Sequence, residues 1–316
     1  MSDRTYAFLI SPRAESAFFS ESEKVATAEL YGIVGEVEPF TVGGMLFLKA
    51  KANPDQLPTL LRLACVQGVF EQDGSNLRPL DQTAGFALHP DFVWGEKYRG
   101  KTNETLTQLL INLCLQEMPG RGPGGLRLLD PMAGRGTTLI WAMRYGMRSV
   151  GIEQDSQALV DLRRGLKKWT KIHRQKHKLT EGWVQKANRR GMGKYLDFAA
   201  EGTTLRLITG PTREVESLTQ RKPVDLLVTD LPYGIEHKGP GGTRNPLDVI
   251  AEAAPAWTSA LAPGGAMAVA FNAYLPKRAE LLAAFEGLGL EPVERDIRHR
   301  MSEAILRDIL VMRKSG

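Results

Sequence analysis

One stretch of the chain places a carboxylate, peptide carbonyls and an aromatic ring in direct succession. In Val224–Gly234 a run of apolar and β-branched residues leads into Asp230, and Leu231, Pro232 and Tyr233 then stop the run. Such a run predicts a buried parallel strand that ends in a tight loop. Carboxylate and carbonyl oxygens accept hydrogen bonds from an exocyclic amine, and a tyrosine ring stacks on a planar group. The stretch predicts a site for an amine-bearing ring, with an ordinary turn as the alternative.

A second stretch has the composition of a turn that binds a ligand at the start of a helix. Leu126–Thr138, LRLLDPMAGRGTT, predicts an apolar strand, an acid, a Gly-x-Gly turn and a helix. A dinucleotide fingerprint would need a third glycine at Leu139, which weakens a nicotinamide or flavin interpretation. The candidate cofactor-binding residues of this stretch are Asp130, Pro131, Ala133, Gly134, Gly136 and Thr137.

An acid follows the next predicted strand at the distance expected of a ribose-binding residue. The strand Ser149–Ile152 ends in Glu153, about twenty residues beyond the glycine turn. Gln154 and Asp155 could share that role or could cap the following helix.

The segment Gly95–Thr102 matches the phosphate-loop pattern G-x-x-x-x-G-K-[ST] and is followed by a predicted helix, Asn103–Gln116. A phosphate loop requires a buried strand before it and backbone amides that converge on the phosphates. The bulky residues of this segment favour a different interpretation, in which Lys101, Thr102 and Asn103 cap a helix whose start faces the main pocket. A purely structural cap stays open as an alternative.

The tract Asp161–Lys194 is strongly basic and contains two tryptophans. It predicts either an ordinary solvated helix face or a surface that tracks phosphates. The candidate substrate-binding residues are Lys168, Lys171 and Arg174 of this tract and His237, which begins a Gly-rich loop. His173 and His177 are four residues apart, but no third ligand accompanies them, so no metal site is predicted.

Composition bounds the class of protein. The chain has 316 residues, 42% of them hydrophobic, and a formal net charge of +5, which suits a globular protein of about two domains with a polyanionic partner. Two isolated cysteines, Cys65 and Cys114, form no disulfide framework, and Met1–Arg13 lacks the apolar core of a signal peptide. We therefore expect a cytoplasmic protein without a membrane partner.

The order of predicted elements divides the chain into two domains. Residues up to about 72 predict a β-α-β-β-α-β order typical of a ferredoxin-like unit, and Asp73–Trp94 is expected to be a linker. The expected domains are residues 1–85, a small α+β unit, and residues 86–316, a parallel α/β unit. Its closing strands, Glu291–Arg298 and Asp308–Met312, leave no room for a crossover helix and should be antiparallel.

Four motifs, DPMAGRGTT, GIEQD, TDLPYG and LAPGG, in this order and spacing, resemble the class I S-adenosylmethionine-dependent methyltransferases. The resemblance covers about Lys97 to Arg313. The D-L-P-Y version looks most like the tRNA guanine-N2 methyltransferases that carry an N-terminal THUMP region, which residues 1–85 match only loosely. The related D-P-P-Y version occurs in DNA amino-methyltransferases.

The resemblance implies a fold, a cofactor and roles for residues. It implies an α/β, seven-stranded Rossmann-like sheet with an antiparallel last strand, S-adenosylmethionine as cofactor, and tRNA or another structured RNA as partner. The glycine turn and Asp130 would line the methionine end of the cofactor, and Glu153 would bind its ribose. Asp230 to Tyr233 would hold the target amine. Pro211 stands where the family usually has an adenine-binding Asp. A DNA adenine or cytosine amino-methyltransferase and a phosphate-loop nucleotide-binding protein remain the alternatives.

Overall fold

The computed structural model describes residues 2–11, 19–96, 101–184, 193–232, 238–239, 242–243, 246–303 and 305–316. The chain forms two compact units. The N-terminal unit consists of residues 1–85 and 295–308, and the larger unit consists of residues 86–294 and 309–316. The domain limits expected from the sequence, 1–85 and 86–316, remain a prediction.

The N-terminal unit is an antiparallel sheet with helices. In chain order its first elements are β1 (Arg4–Ile10), α1 (Phe19–Val34), β2 (Glu38–Val42), β3 (Met45–Ala52), α2 (Leu57–Leu60), β4 (Val66–Asp73) and β5 (Asn76–Pro79). The strand order is β2-β3-β1-β4-β5, and β1 pairs antiparallel with both β3 and β4. The first four strands have the ferredoxin-like order that the sequence predicts.

Two details of this unit differ from the sequence prediction. The second helix ends at Leu60 rather than near Ala64, because the Ala64 amide donates to the carboxylate of the fully buried Glu29, 2.9 Å away, instead of continuing the helix. The expected linker after Gln72 contains β5, which forms a hairpin with β4. Residues 295–308 also belong here, since the Arg300 amide donates to Glu21 of α1 at 3.0 Å.

The larger unit is an α/β fold. Its elements up to the middle of the sheet are α3 (Asp91–Trp94), α4 (Glu104–Gln116), β6 (Arg127–Asp130), α5 (Thr137–Arg144), β7 (Arg148–Glu153), α6 (Gln157–Ile172), β8 (Lys178–Trp183), β9 (Lys194–Ala200) and β10 (Thr203–Thr209). The remaining elements of the chain are α7 (Val215–Leu218), β11 (Val224–Asp230), β12 (Lys238–Gly239), β13 (Gly242–Thr243), α8 (Pro246–Ala260), β14 (Leu261–Asn272), α9 (Arg278–Ala283), β15 (Leu290–Val293), β16 (His299–Ser302) and β17 (Ile305–Lys314).

The large sheet has the strand order β15-β17-β14-β11-β6-β7-β10-β9-β8, with β16 paired to β17. Strands β14, β11, β6, β7 and β10 are parallel, and β15 runs antiparallel to β17 as predicted. Seven of these strands, from β15 to β10, form the predicted Rossmann-like methyltransferase sheet. Strands β9 and β8 extend it by an antiparallel hairpin that the sequence did not predict.

The hairpin corrects the helical interpretation of the basic tract. Helix α6 ends at Ile172, and the second half of the tract forms β8 and the start of β9. The apolar residues Leu196 and Phe198 of β9 are fully buried, which holds the hairpin on the sheet.

Apolar burial and one carboxylate fix the central strands. Leu128 and Leu129 of β6 and Leu226 and Leu227 of β11 are fully buried, as expected for parallel strands covered on both faces. Asp225 accepts from the Arg127 amide at 2.9 Å and so joins the start of β11 to the start of β6. Within the described ranges, no helix has the length and apolarity needed to cross a membrane.

Candidate active site

The two predicted loops leave the large sheet at the same edge. Strands β6 and β11 are adjacent and parallel, with Leu226 opposite Leu128 and Leu227 opposite Leu129. Their carboxyl ends, and those of β7, β10 and β14, therefore point to one edge, the catalytic edge. Ligands of open α/β sheets bind at this edge, beside the point where the strand order reverses.

Register gives the relative depth of the acids on this edge. Asp130 lies opposite Gly151 of β7, so Glu153 extends two residues farther out. Asp230 likewise extends two residues beyond the level of Asp130 on β11. Glu153 and Asp230 therefore flank β6 at equal height, about 10 Å apart between their strands.

The β11 loop starts in a fixed position. The Leu231 amide donates to the Ala270 carbonyl at 2.8 Å and its side chain is buried, so only its carbonyl can face a ligand. Asp230 and Pro232 are partly exposed. Tyr233 and His237, the other predicted substrate contacts of this region, lie outside the described residues.

The glycine turn is held by backbone hydrogen bonds and close packing. The Ala133 amide donates to the Ile152 carbonyl at 2.9 Å, and the Gly136 amide donates to the Ala133 carbonyl at 2.8 Å. Gly136 has a φ of +83°, which L-residues with a side chain rarely adopt. No side chain caps α5 there, so its first amides face the turn. Pro131 and Thr137 are buried at the two ends of this turn.

Gly151, which the sequence analysis missed, makes this packing possible. A Cβ atom on Gly151 would lie 2.6 Å from the Cβ of Ala133 and 2.9 Å from Leu139. The signal in the sequence was the glycine in GIEQD at a strand position where a side chain would normally pack.

Glu153 is fixed by two backbone amides. The Gly134 amide donates to its Oε2 at 2.8 Å, and the Asp155 amide donates to its Oε1, also at 2.8 Å. A carboxylate offers about four acceptor positions, so two remain for the hydroxyls of a ribose. The side chain of Gln154 is exposed beside it.

Asp130 is the buried acid of the catalytic edge, with 3% of its surface exposed. Burial raises its pKa to about 7, although hydrogen bonds from the Thr138 hydroxyl and the Met132 amide favour the charged form. The Met132 amide lies 3.1 Å from Oδ1, so Asp130 also shapes the first residues of the turn.

The start of α4 also lies at the catalytic edge, because α4 leads back to the start of β6. Asn103 caps this helix and accepts from the Leu106 amide at 2.9 Å, with Thr102 just before it. The Lys101 ammonium donates to the carbonyls of Val93 and Glu96 and to Glu104 at 2.5 to 2.7 Å. The residues before the phosphate-loop pattern form the helical turn α3 rather than a strand, so the pattern lacks its required context.

The predicted basic contacts lie away from this edge. Helix α6 starts beside Glu153 and leads away from the edge, so Lys171 is about 20 Å from the helix start and Arg174 lies beyond the helix. Lys168 is paired with Glu96 at 2.8 Å. These residues do not converge with Glu153 and Asp230.

One group of potential metal ligands occurs among the described residues, namely His89, Asp91 and His173. The imidazoles of His89 and His173 stack at 3.7 Å, and the His173 Nε2 donates to Asp91 at 3.0 Å. A metal ion lies in the plane of each imidazole that binds it, so stacked rings do not converge on one ion. The contact joins α3 to the end of α6.

A separate cleft lies between α3, α5 and α6. Its polar lining includes Lys101, Arg135, Thr137 and Asp161, but neither Glu153 nor Asp230. Of the predicted cofactor-binding residues only Thr137 reaches it.

The strand order, the glycine turn and the acid that follows β7 define a class I methyltransferase domain. A family model described as UPF0020, RMKL-like methyltransferase domain, matches residues 96–274, which is more than half of the chain. The chain therefore belongs to this family.

Several solved structures are similar to this chain. TrmN from Thermus thermophilus is 16% identical with a TM-score of 0.47, and the match covers 88% of this chain and 59% of TrmN. The 16S rRNA N2 G1207 methyltransferase RsmC of T. thermophilus, solved with AdoMet and guanosine, is 16% identical with a TM-score of 0.41 and coverages of 94% and 62%. A putative RNA methyltransferase from Pyrococcus horikoshii is 18% identical with a TM-score of 0.41 and coverages of 73% and 93%. No curated protein matches the chain.

S-adenosylmethionine is the expected cofactor of this domain. The residues at the catalytic edge fit it, since the glycine turn leaves room beside the uncapped start of α5 and Glu153 keeps acceptor positions for a ribose.

Proposed function

We propose that this chain transfers a methyl group from S-adenosylmethionine to the N2 amine of guanine in RNA, with tRNA as the first candidate substrate. The observation that carries the proposal is the equal height of Glu153 and Asp230 on either side of the glycine turn. A cofactor site and an amine-binding acid thus share one edge of the sheet. The sequence after Asp230, Leu-Pro-Tyr, supports an amine on a planar base as the acceptor.

The cofactor would be held by the glycine turn and by Glu153. Ala133, Gly134 and Gly136 let the backbone approach the methionine end, and Thr102, Asn103 and Gln154 border the same edge. Bound S-adenosylmethionine supplies an electrophilic methyl group and requires no metal.

Asp230 would orient the acceptor and take its proton. The lone pair of an exocyclic amine is delocalised into the ring, which makes the amine a poor nucleophile. Hydrogen bonds from the amine to Asp230 and to the Leu231 carbonyl would turn the lone pair out of conjugation. Asp230 would then accept a proton as positive charge develops on nitrogen. Fixed placement of this kind accounts for several kcal/mol of the barrier, about 7 or more in well-oriented systems.

A nucleic-acid acceptor is supported by charge. The formal net charge is +5, and exposed lysines and arginines concentrate after Asp161. A base inside a duplex would have to be turned out of the stack to reach the catalytic edge. The whole-protein activity, the RNA partner and the cytoplasmic location are parts of this proposal.

The test is a transfer assay with labelled S-adenosylmethionine and three acceptors, namely unmodified bulk tRNA, rRNA and genomic DNA. We expect label in RNA, recovered as N2-methylguanine after digestion and mass spectrometry. Label in adenine N6 or cytosine N4 of DNA would instead establish the alternative amino-methyltransferase.

A thermal-shift comparison separates the remaining class of function. S-adenosylhomocysteine should raise the melting temperature, whereas ATP with magnesium should not. The reverse result would revive the nucleotide-binding interpretation of Gly95–Thr102 and end the methyltransferase proposal.

A further inference from the structure

The outermost strand of the large sheet, β8, leads to the catalytic edge. It runs antiparallel to β9, and β9 runs antiparallel to β10, so β8 has the direction of the parallel strands. Its last residue, Trp183, therefore lies at the catalytic edge, and its first residue, Lys178, lies about 17 Å away along the strand.

The pairing register connects Trp183 to the cofactor acid. Trp183 lies opposite Lys194, and the Lys194 carbonyl accepts from the Thr209 hydroxyl at 3.2 Å. Thr209 in turn lies opposite Glu153. One row across the sheet thus runs from Trp183 to Glu153, three strand spacings or about 14 Å.

Trp183 is a large apolar side chain exposed to solvent on this row. It is 45% exposed, and within the described part of the chain no aromatic ring stacks on it. An exposed indole next to lysine is unusual for an edge strand, where short polar side chains are the rule. It offers a flat face on which a nucleobase can stack.

The other end of β8 is surrounded by cations without carboxylate partners. Lys171, Arg174, Lys176 and Lys178 are all exposed, and none forms an ion pair with another described residue. By contrast, the one acid of β8, Glu181, is neutralised by Arg163 at 2.9 Å and by Lys194 at 3.4 Å. The strand as a whole therefore presents positive charge.

We propose that β8 is an RNA-docking strand, on which a base near the target nucleotide stacks on Trp183 and the adjoining phosphates contact Lys178, Lys176 and Arg174. This inference rests on the proposed function, because the methylated base would lie at the same edge. An aromatic platform continuous with unpaired cations is the combination that binds single-stranded RNA. An acidic protein would satisfy the cations but would have no use for the indole.

Binding experiments separate the stacking contact from the charged contacts. The probes are bulk tRNA and a fluorescent single-stranded RNA 12-mer, titrated at salt concentrations from 50 to 200 mM in roughly equal steps. Trp183→Ala should weaken binding about tenfold without changing the slope of log Kd against log salt. Trp183→Phe, which keeps an aromatic face, should stay within about threefold of wild type.

The double variant Arg174→Ala, Lys178→Ala should lower the salt slope by about 1.4, since each lost phosphate contact in a single strand removes about 0.7. The matched control is Arg221→Ala, Lys222→Ala, two exposed cations in the turn before β11 at the opposite edge of the sheet. Its slope should equal that of wild type. Equal slopes for both doubles, or an unchanged Kd for Trp183→Ala with intact thermal unfolding, would overturn the proposal.

The outcomes distinguish this inference from the proposed function. If RNA is methylated but all β8 variants keep the wild-type Kd and KM, the docking strand is wrong and the activity stands. If no RNA is methylated but Trp183→Ala and the double variant weaken RNA binding as expected, the docking strand stands and the activity is wrong. Binding of polyglutamate that depends on Trp183 more than RNA binding does would show an acidic protein partner and refute the proposal.

Discussion

Two regions of the larger unit carry charge in opposite ways. At the catalytic edge, Glu153 and Asp130 accept from backbone amides of the glycine turn and its neighbours at 2.8 to 3.1 Å. At the end of α6 and the start of β8, Lys171 and Lys178 are exposed, and neither forms an ion pair with another described residue. One region fixes each charge with the backbone, and the other leaves its charges in solvent.

The difference matches two kinds of ligand. A small cofactor has one shape, so groups that are already in position lose little entropy when it binds. A polyanion offers a repeating charge, and exposed cations bind it by releasing counterions without fixed geometry. We therefore expect substitutions at the edge to act on rate, stability and cofactor affinity, and substitutions at the cationic end to act on salt dependence.

The largest expected effect follows from removing the amine-binding acid. Asp230→Ala should lower kcat by about 10³-fold, as the loss of a positioned acid or base typically does. The Kd for S-adenosylmethionine, measured by calorimetry, should change less than about twofold. A large loss of cofactor affinity would show that Asp230 belongs to the cofactor site instead.

The next effect concerns the pH dependence of stability at Asp130. Its pKa is raised to about 7, so the folded chain keeps a proton that the unfolded chain releases near pH 4. The free energy of unfolding should therefore fall as the pH rises toward 7 and level off above it. Between pH 5 and pH 8 this amounts to about 3 kcal/mol in wild type.

Urea denaturation at several pH values checks this expectation. Asp130→Asn removes the titrating group, so the variant should lose less stability over the same pH range. Parallel curves for the two proteins would show that Asp130 does not titrate there.

A smaller effect is expected at Glu153. Hydrogen bonds to a charged group contribute about 1.5 to 3 kcal/mol, so Glu153→Gln should weaken S-adenosylhomocysteine binding by about 10- to 100-fold. Gln154→Ala changes the exposed neighbour and serves as the control, with affinity close to wild type. Equal losses in both variants would indicate a general disturbance of the turn before α6.

The smallest effect compares two lysines of the same helix. Lys171→Ala should lower the salt slope of RNA binding by about 0.7. Lys168→Ala should lower it less, because Lys168 is already paired with Glu96 at 2.8 Å. A larger change for Lys168 would mean that RNA displaces Glu96.

The sequence predicted the parts of this fold that have a strong periodic pattern. The apolar runs before Asp130 and Asp230 predicted parallel strands, and parallel strands necessarily bring their carboxyl ends to one edge. The antiparallel last pair followed from the short connection between its strands. These predictions are confirmed by the strand order and register.

The missed features depend on contacts between distant residues. Strand β8 alternates weakly and carries a lysine, a glutamate and a glycine, so its composition indicated a solvated tract rather than a strand. The partners of Lys101 and the stacking of His89 on His173 arise only when α3 meets α4 and α6. The roles of the predicted site residues remain predictions.

The membership of residues 295–308 in the N-terminal unit has a consequence for biosynthesis. The Arg300 amide and Glu21 are separated by 279 positions, so the first unit to leave the ribosome is the last to be completed. Long-range closure of this kind slows folding. The nascent N-terminal sheet must therefore wait, with α1 lacking one neighbour, until nearly all of the catalytic unit has been translated.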